Sequence, residues 1–141
     1  MPKRENIVYS DQLRPDVDLI VELYRLAHLM RPIEDKERIR TMFANSPLVV
    51  TAWDGTQLIG ILRGWTDGAY DGYICDLAIH PDYQKLGIGK EILQFIVKRE
   101  PKIQWVLRAS KIAANYYAHL GWHRIDNGWF WPRAVWQAGN N

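Results

Sequence analysis

A chain of 141 residues that is 48% apolar and 24% charged is long enough for one sizeable core and too short for two, and its composition excludes disorder of the whole chain. The formal charge of +2, with basic residues spread rather than striped along one face, argues against a nucleic-acid partner. Cys75 is the single cysteine and cannot close an internal disulfide, no apolar run approaches the ~18 residues of a membrane span, and the opening Met-Pro-Lys-Arg-Glu-Asn lacks the apolar stretch of a signal peptide. We therefore expect one domain over residues 1–141, no membrane partner and a cytoplasmic location.

Ile7-Val8-Tyr9 reads as a short first strand. Pro15 stands where helices begin, and Val17, Ile20, Val21, Tyr24, Leu26 and Ala27 supply an apolar helical face. A second, more polar helix is expected from about Glu34 to Ala44, with Ile39, Met42 and Phe43 turned inward. Residues 48–53 and 58–62 are β-rich and flank Asp54-Gly55, a tight hairpin signal. Residues 73–79 form another strand candidate. A helix from Ile88 carries Ile92, Leu93, Ile96 and Val97 on one face and ends at Pro101. Residues 103–107 read as a strand, and Ile112 to Leu120 as a short helix closed by Gly121. Trp122-His123-Arg124 and Trp129-Phe130-Trp131 complete the pattern as two last strands around a turn at Asp126-Asn127-Gly128. This order predicts an α/β fold, a mixed, mostly antiparallel central sheet of about seven strands with helices on both faces.

The most informative stretch runs from Ile79 through His80-Pro81-Asp82-Tyr83-Gln84-Lys85-Leu86 to Gly87-Ile88-Gly89-Lys90. A strand ends, a loop carries two glycines one residue apart, and a helix starts at once. Backbone N–H groups at a helix start have no intrahelical partner, and the helix dipole places partial positive charge there. Glycine lets the main chain approach a bulky anion, and Lys85 and Lys90 add counter-charge, so the loop suits a phosphate or pyrophosphate. The dinucleotide fingerprint fails because Ile92 stands where its third glycine belongs. The nucleotide P-loop fails because Glu91 follows Lys90.

The stretch resembles the acetyl-CoA loop of the GNAT superfamily of N-acetyltransferases, Gln/Arg-x-x-Gly-x-Gly/Ala, matched by Gln84, Gly87 and Gly89. The family's upstream Leu-x-Val/Ile-x-Pro is matched by Leu77, Ile79 and Pro81. Its later Asn-x-x-Ala-x-x-Phe-Tyr-x-x-x-Gly-Phe is matched by Ala113, Tyr117 and Gly121, with Tyr116, Trp122 and Ser110 as departures. The resemblance spans roughly residues 47–124 and implies a GNAT domain that takes acetyl-CoA as acyl donor and uses no metal. It further implies that Leu77, Ala78 and Ile79 offer main-chain bonds to the pantetheine arm, and that Lys85, Leu86, Gly87, Ile88, Gly89 and Lys90 wrap the pyrophosphate. Ser110 and Asn115 are added as donor contacts, and Tyr117 would protonate the departing thiolate. Ile112, Tyr116 and Leu120, at four-residue spacing, are expected to face the core.

An amine acceptor must lose a proton, and Asp76, in an otherwise apolar strand where burial would raise its pKa, is the first candidate base; Asp71 acting through water is the second. His80 reads as a turn residue and Cys75 as a core thiol. By resemblance, the acceptor channel draws on His28, Met30, Arg31, Trp65, Asp71 and Tyr73. The expected activity is transfer of an acetyl group to the primary amine of a small molecule, with a peptide or protein acceptor, or a non-catalytic acyl-CoA-binding module, as alternatives. The aromatic C-terminal segment would suit a homodimer interface.

Overall fold

Strands β1 (Ile7–Ser10), β2 (Leu48–Asp54), β3 (Gln57–Thr66), β4 (Asp71–Ile79) and β5 (Gln104–Leu107) form one sheet in chain order. The computed structural model describes residues 2–134, so the domain expected over residues 1–141 runs past the described residues at both ends. β1 to β4 pair antiparallel and β4 pairs with β5 in parallel. A parallel neighbour needs a crossover, and the chain supplies it as the helix α3 (Ile88–Arg99). Gly55, at φ +60°, opens the two-residue turn that sets Asp54 opposite Gln57.

Two apolar clusters lie on the two faces of this sheet. Helices α1 (Val17–Leu26) and α2 (Lys36–Ala44) bury Ile20, Leu23, Tyr24, Ile39 and Phe43 against Val49, Ile61 and Ala78. On the other face α3 buries Ile88, Ile92, Leu93 and Ile96 against Val50, Leu62 and Ile74. The expected apolar spacings of these helices therefore correspond to their buried faces. Asp35 begins α2 by accepting a hydrogen bond from the Arg38 N–H, which moves the helix start two residues beyond the expected Glu34.

The register of β3 on β4 slips after Arg63, which leaves Cys75 as the extra residue of a bulge between Ile74 and Asp76. A bulge reverses the alternation of side chains. Ile74 accordingly joins the α3 face, whereas Asp76, two residues on, turns to the α1 face and meets Tyr24.

Two expectations are corrected. Among the described residues the sheet has five strands, not about seven, because residues 122–124 and 129–131 do not pair. Trp129 and Trp131 are 98% and 94% exposed, so their β-propensity finds no half-buried pleated surface to act on. The last helix, α4, covers Ala114–His119, and Ile112 precedes it at 98% exposure instead of facing the core.

Candidate active site

The loop between β4 and α3 is built by local rules. His80 caps a 3-10 turn at Pro81–Tyr83 by accepting from the Asp82 N–H through Nδ1, in keeping with its reading as a turn residue. Gln84 then donates from Nε2 to the Ile79 carbonyl at 3.2 Å and ties the loop to the strand end. Lys85 and Gly87 both take positive φ, +68° and +80°. Gly87 is the N-cap of α3 and offers no side chain, and the first helical bond runs from the Glu91 N–H to the Gly87 carbonyl. The N–H groups of Ile88, Gly89 and Lys90 are thus left for an external acceptor at the positive end of the helix dipole. Arg4 lies beside Gly87 and pairs with Glu91, which adds a guanidinium that no local pattern announces.

β4 and β5 pair only from Asp71↔Gln104 to Ile74↔Leu107, so the last five residues of β4 have no strand on that side. The His80 N–H bonds to the Ile59 carbonyl on β3. Main-chain groups alternate along a strand, so Ala78 and Asp76 also face β3, and Leu77 and Ile79 face the unpaired edge. This corrects the expectation for Ala78, whose main chain is committed to the sheet. The Leu77 and Ile79 N–H groups and the Leu77 carbonyl remain for a ligand.

A cavity of about 510 Å³ runs along this edge to the helix start. Leu77, Ala78, Ile79, Gln84, Lys85, Gly87, Ile88, Gly89 and Lys90 all line it, as do Tyr116 and Tyr117. Leu86 packs against the α3-face core instead, and Asn115 is exposed and lines no cavity described here. Ser110 lines a different cavity, and its Oγ accepts from the Ala113 N–H. Gly89 permits the closest approach in the first cavity, since a Cβ there would sit 2.8 Å from the Tyr116 hydroxyl.

Tyr117 is held by the end of its own helix. Gly121, at φ +92°, follows the C-cap, the Trp122 N–H bonds to the Tyr117 carbonyl and the Gly121 N–H to that of Ala118. This is a Schellman motif, and its usual apolar contact is the edge-to-face packing of Tyr117 on Trp122, ring centres 5.9 Å apart. Burial, with a smaller contribution from Tyr116, pushes the Tyr117 hydroxyl up to about 12, so it carries its proton throughout the neutral range.

Asp76 is 2% exposed and accepts three hydrogen bonds: from Arg31 Nε at 2.6 Å, Arg63 Nε at 2.6 Å and the Tyr24 hydroxyl at 2.7 Å. Burial, the largest single influence, pushes its carboxyl up, but the Arg63 hydrogen bond and charge, the Arg31 charge and Tyr24 together outweigh it. The pKa is therefore lowered, not raised as expected from burial alone. Asp71, the second candidate, opens β4 and lines neither this cavity nor the next.

A second cavity of about 170 Å³ opens where β4 leaves β5, on the α1 side of the strand. It is lined by Arg31, Arg63, Tyr73, Cys75, Asp76, Arg108, Ala109, Ser110 and Arg133. Of the residues expected around the acceptor, Arg31 and Tyr73 line it, and His28, Met30, Trp65 and Asp71 do not. Cys75 is half-buried in the bulge rather than a core residue, and burial raises its thiol pKa. Arg63 and Arg108 had no motif to announce them.

A strand edge opened beside an uncapped helix start offers main-chain donors to an extended, phosphate-bearing ligand. A family model described as "Acetyltransferase (GNAT) domain" matches residues 22–129, and the chain belongs to that family. It is an acetyl-CoA-dependent acyltransferase. Among similar proteins is the uncharacterized N-acetyltransferase ycf52 of Porphyra purpurea, 28% identical over 80% of this chain and 74% of that protein. Another is the ycf52-like N-acetyltransferase of Prochlorococcus marinus, 33% identical over 65% of this chain and 53% of that one. A probable acetyltransferase of Staphylococcus aureus shares the fold with a TM-score of 0.75 at 22% identity, covering 89% of this chain and 97% of that one. An aminoglycoside acetyltransferase from a soil metagenome, solved with sisomicin, shares it with a TM-score of 0.61 at 18% identity, over 89% and 96%. No helix among the described residues is long and apolar enough to cross a membrane.

Proposed function

We propose that the protein transfers the acetyl group of acetyl-CoA directly to the primary amine of a small molecule. The observation that carries this reading is the pair of cavities beside β4, a long one ending at the uncapped start of α3 and a small one only about 170 Å³ in volume. The long cavity suits the donor, with the diphosphate on the N–H groups of residues 88–90 and pantetheine along the Leu77–Ile79 edge. The small one suits an acceptor no larger than a metabolite. The sisomicin complex of the aminoglycoside acetyltransferase lends support to a small-molecule amine as a class of acceptor.

In this reading the amine nitrogen attacks the thioester carbon, and the developing oxyanion takes a hydrogen bond from an N–H on the open edge of β4, that of Leu77 or Ile79. The C–S bond then breaks as the C–N bond is completed. The thiolate receives the Tyr117 proton, and the tyrosine is reprotonated from solvent. Asp76 is a positioning residue, because a carboxylate already holding three donors with a depressed pKa is a poor base. The acceptor's surplus proton leaves to water through the small cavity. A panel of small primary amines assayed by release of the CoA thiol tests the reading. Turnover of at least one of them at millimolar concentration or below is expected, and turnover only of peptides or proteins would overturn it.

A further inference from the structure

Two guanidiniums, Arg31 and Arg63, are each more than four-fifths buried at the side chain and share one carboxylate, that of Asp76. No other ion pair among the described residues reaches either of them. The cluster thus carries one uncompensated positive charge at the wall of the small cavity, where low dielectric makes such a charge costly to leave alone. Arg108 adds a second positive charge at the same wall. Its guanidinium carbon lies 4.7 Å from the Phe130 ring centre, and among the described residues its N–H donors have no hydrogen-bond partner. Among the described residues the Asp76 carboxylate is the only acidic group lining the cavity.

We infer that the acceptor is an amine that also bears a carboxylate, and that Arg108 with the Arg31–Arg63 cluster binds this group. The inference rests on the assignment of the small cavity to the acceptor and deepens it. Guanidinium presents paired N–H donors that match the two oxygens of a carboxylate; Arg31 and Arg63 already spend donors on Asp76, whereas those of Arg108 have no partner among the described residues. A cavity of about 170 Å³ has room for the body of a short amino acid. The same charge excess repels polyamines, which have no anionic group to offer it.

Two probes separate the anion from the rest of the ligand: N-acetylglycine and its neutral counterpart N-acetylglycinamide, titrated into protein saturated with CoA and followed by amide chemical shifts. N-acetylglycine should bind at least tenfold more tightly and shift resonances around Cys75 and Ser110. Arg108→Gln should reduce that preference at least fivefold while CoA affinity stays within twofold of the parent. Equal binding of the two probes, binding of neither, or an undiminished preference in Arg108→Gln would overturn the inference. Titrating the same probes without CoA keeps the two readings apart. If CoA itself fails to bind, the donor assignment falls, and the preference between the probes still decides whether the small cavity takes an anion.

Discussion

Replacing Asp76 by asparagine separates a catalytic base from a positioning residue. The two side chains have the same shape, so no cavity opens and the change is electrostatic. The asparagine oxygen can accept from one arginine, but its NH2 group then faces a second donor, and both guanidiniums lose their counter-charge at 2.6 Å. Breaking a buried ion pair by removing one partner costs about 3–5 kcal/mol. For a chain of this size that corresponds to a fall in Tm of roughly 10–20 °C. The pH dependence has a definite sign. The folded carboxyl lies below its ordinary 3.8, so its stabilisation is complete above that value and is lost as pH falls through the lower folded value. The wild type should therefore lose stability on acidification below about pH 4, and Asp76→Asn should show a shallower loss there. Thermal unfolding by circular dichroism across pH 3–8, paired with kcat at a temperature where both proteins are folded, measures both effects. A variant that keeps the parental Tm but loses kcat by the roughly hundredfold or more expected for removal of a base would refute this reasoning.

Tyr117→Phe should lower kcat by about 10²-fold and leave CoA affinity by calorimetry within twofold, because the ring packing on Trp122 survives and only the proton is lost. Gly87→Val should weaken CoA binding at least tenfold. A Cβ at that position would meet only Arg4, at 3.8 Å, so any loss of stability comes from a β-branched residue at φ +80° and should be about 1–3 kcal/mol in denaturant unfolding. Arg4→Gln should raise the Kd for CoA severalfold at low salt, and the difference should shrink above about 0.5 M salt, as expected for an exposed charge acting on a phosphate.

What the sequence disclosed and what it hid divide along the range of the interactions involved. The geometry of the loop between β4 and α3 was legible because its determinants are neighbours: a strand end, Gln84, Gly87 at positive φ and a helix start lie within ten residues. Tyr117 was legible for the same reason, since its position depends on Gly121 and Trp122 just downstream. Asp76 was visible as a residue but not as a state. Against its burial, its pKa is pulled down chiefly by Arg63, 13 positions away, and Arg31, 45 positions away, and nothing in the chain order pairs them. Ser110 was placed with the donor from its motif position, yet its turn carries it to the other cavity. The two last strands failed because tryptophan-rich segments favour strands only where a sheet edge accepts them.

The bulge at Cys75 explains how one strand serves both cavities. In an unbroken strand Ile74 and Asp76 would point to the same face, so either the α3 core would hold the carboxylate that Arg31 and Arg63 share or it would lose Ile74. The extra residue lets Ile74 fill the α3 core while Asp76 anchors the arginines on the opposite face, one residue before Leu77 turns its main-chain groups to the open edge. The same irregularity falls where the partner strand β5 ends. Strand pairing, side-chain direction and charge thus all change within three residues of β4.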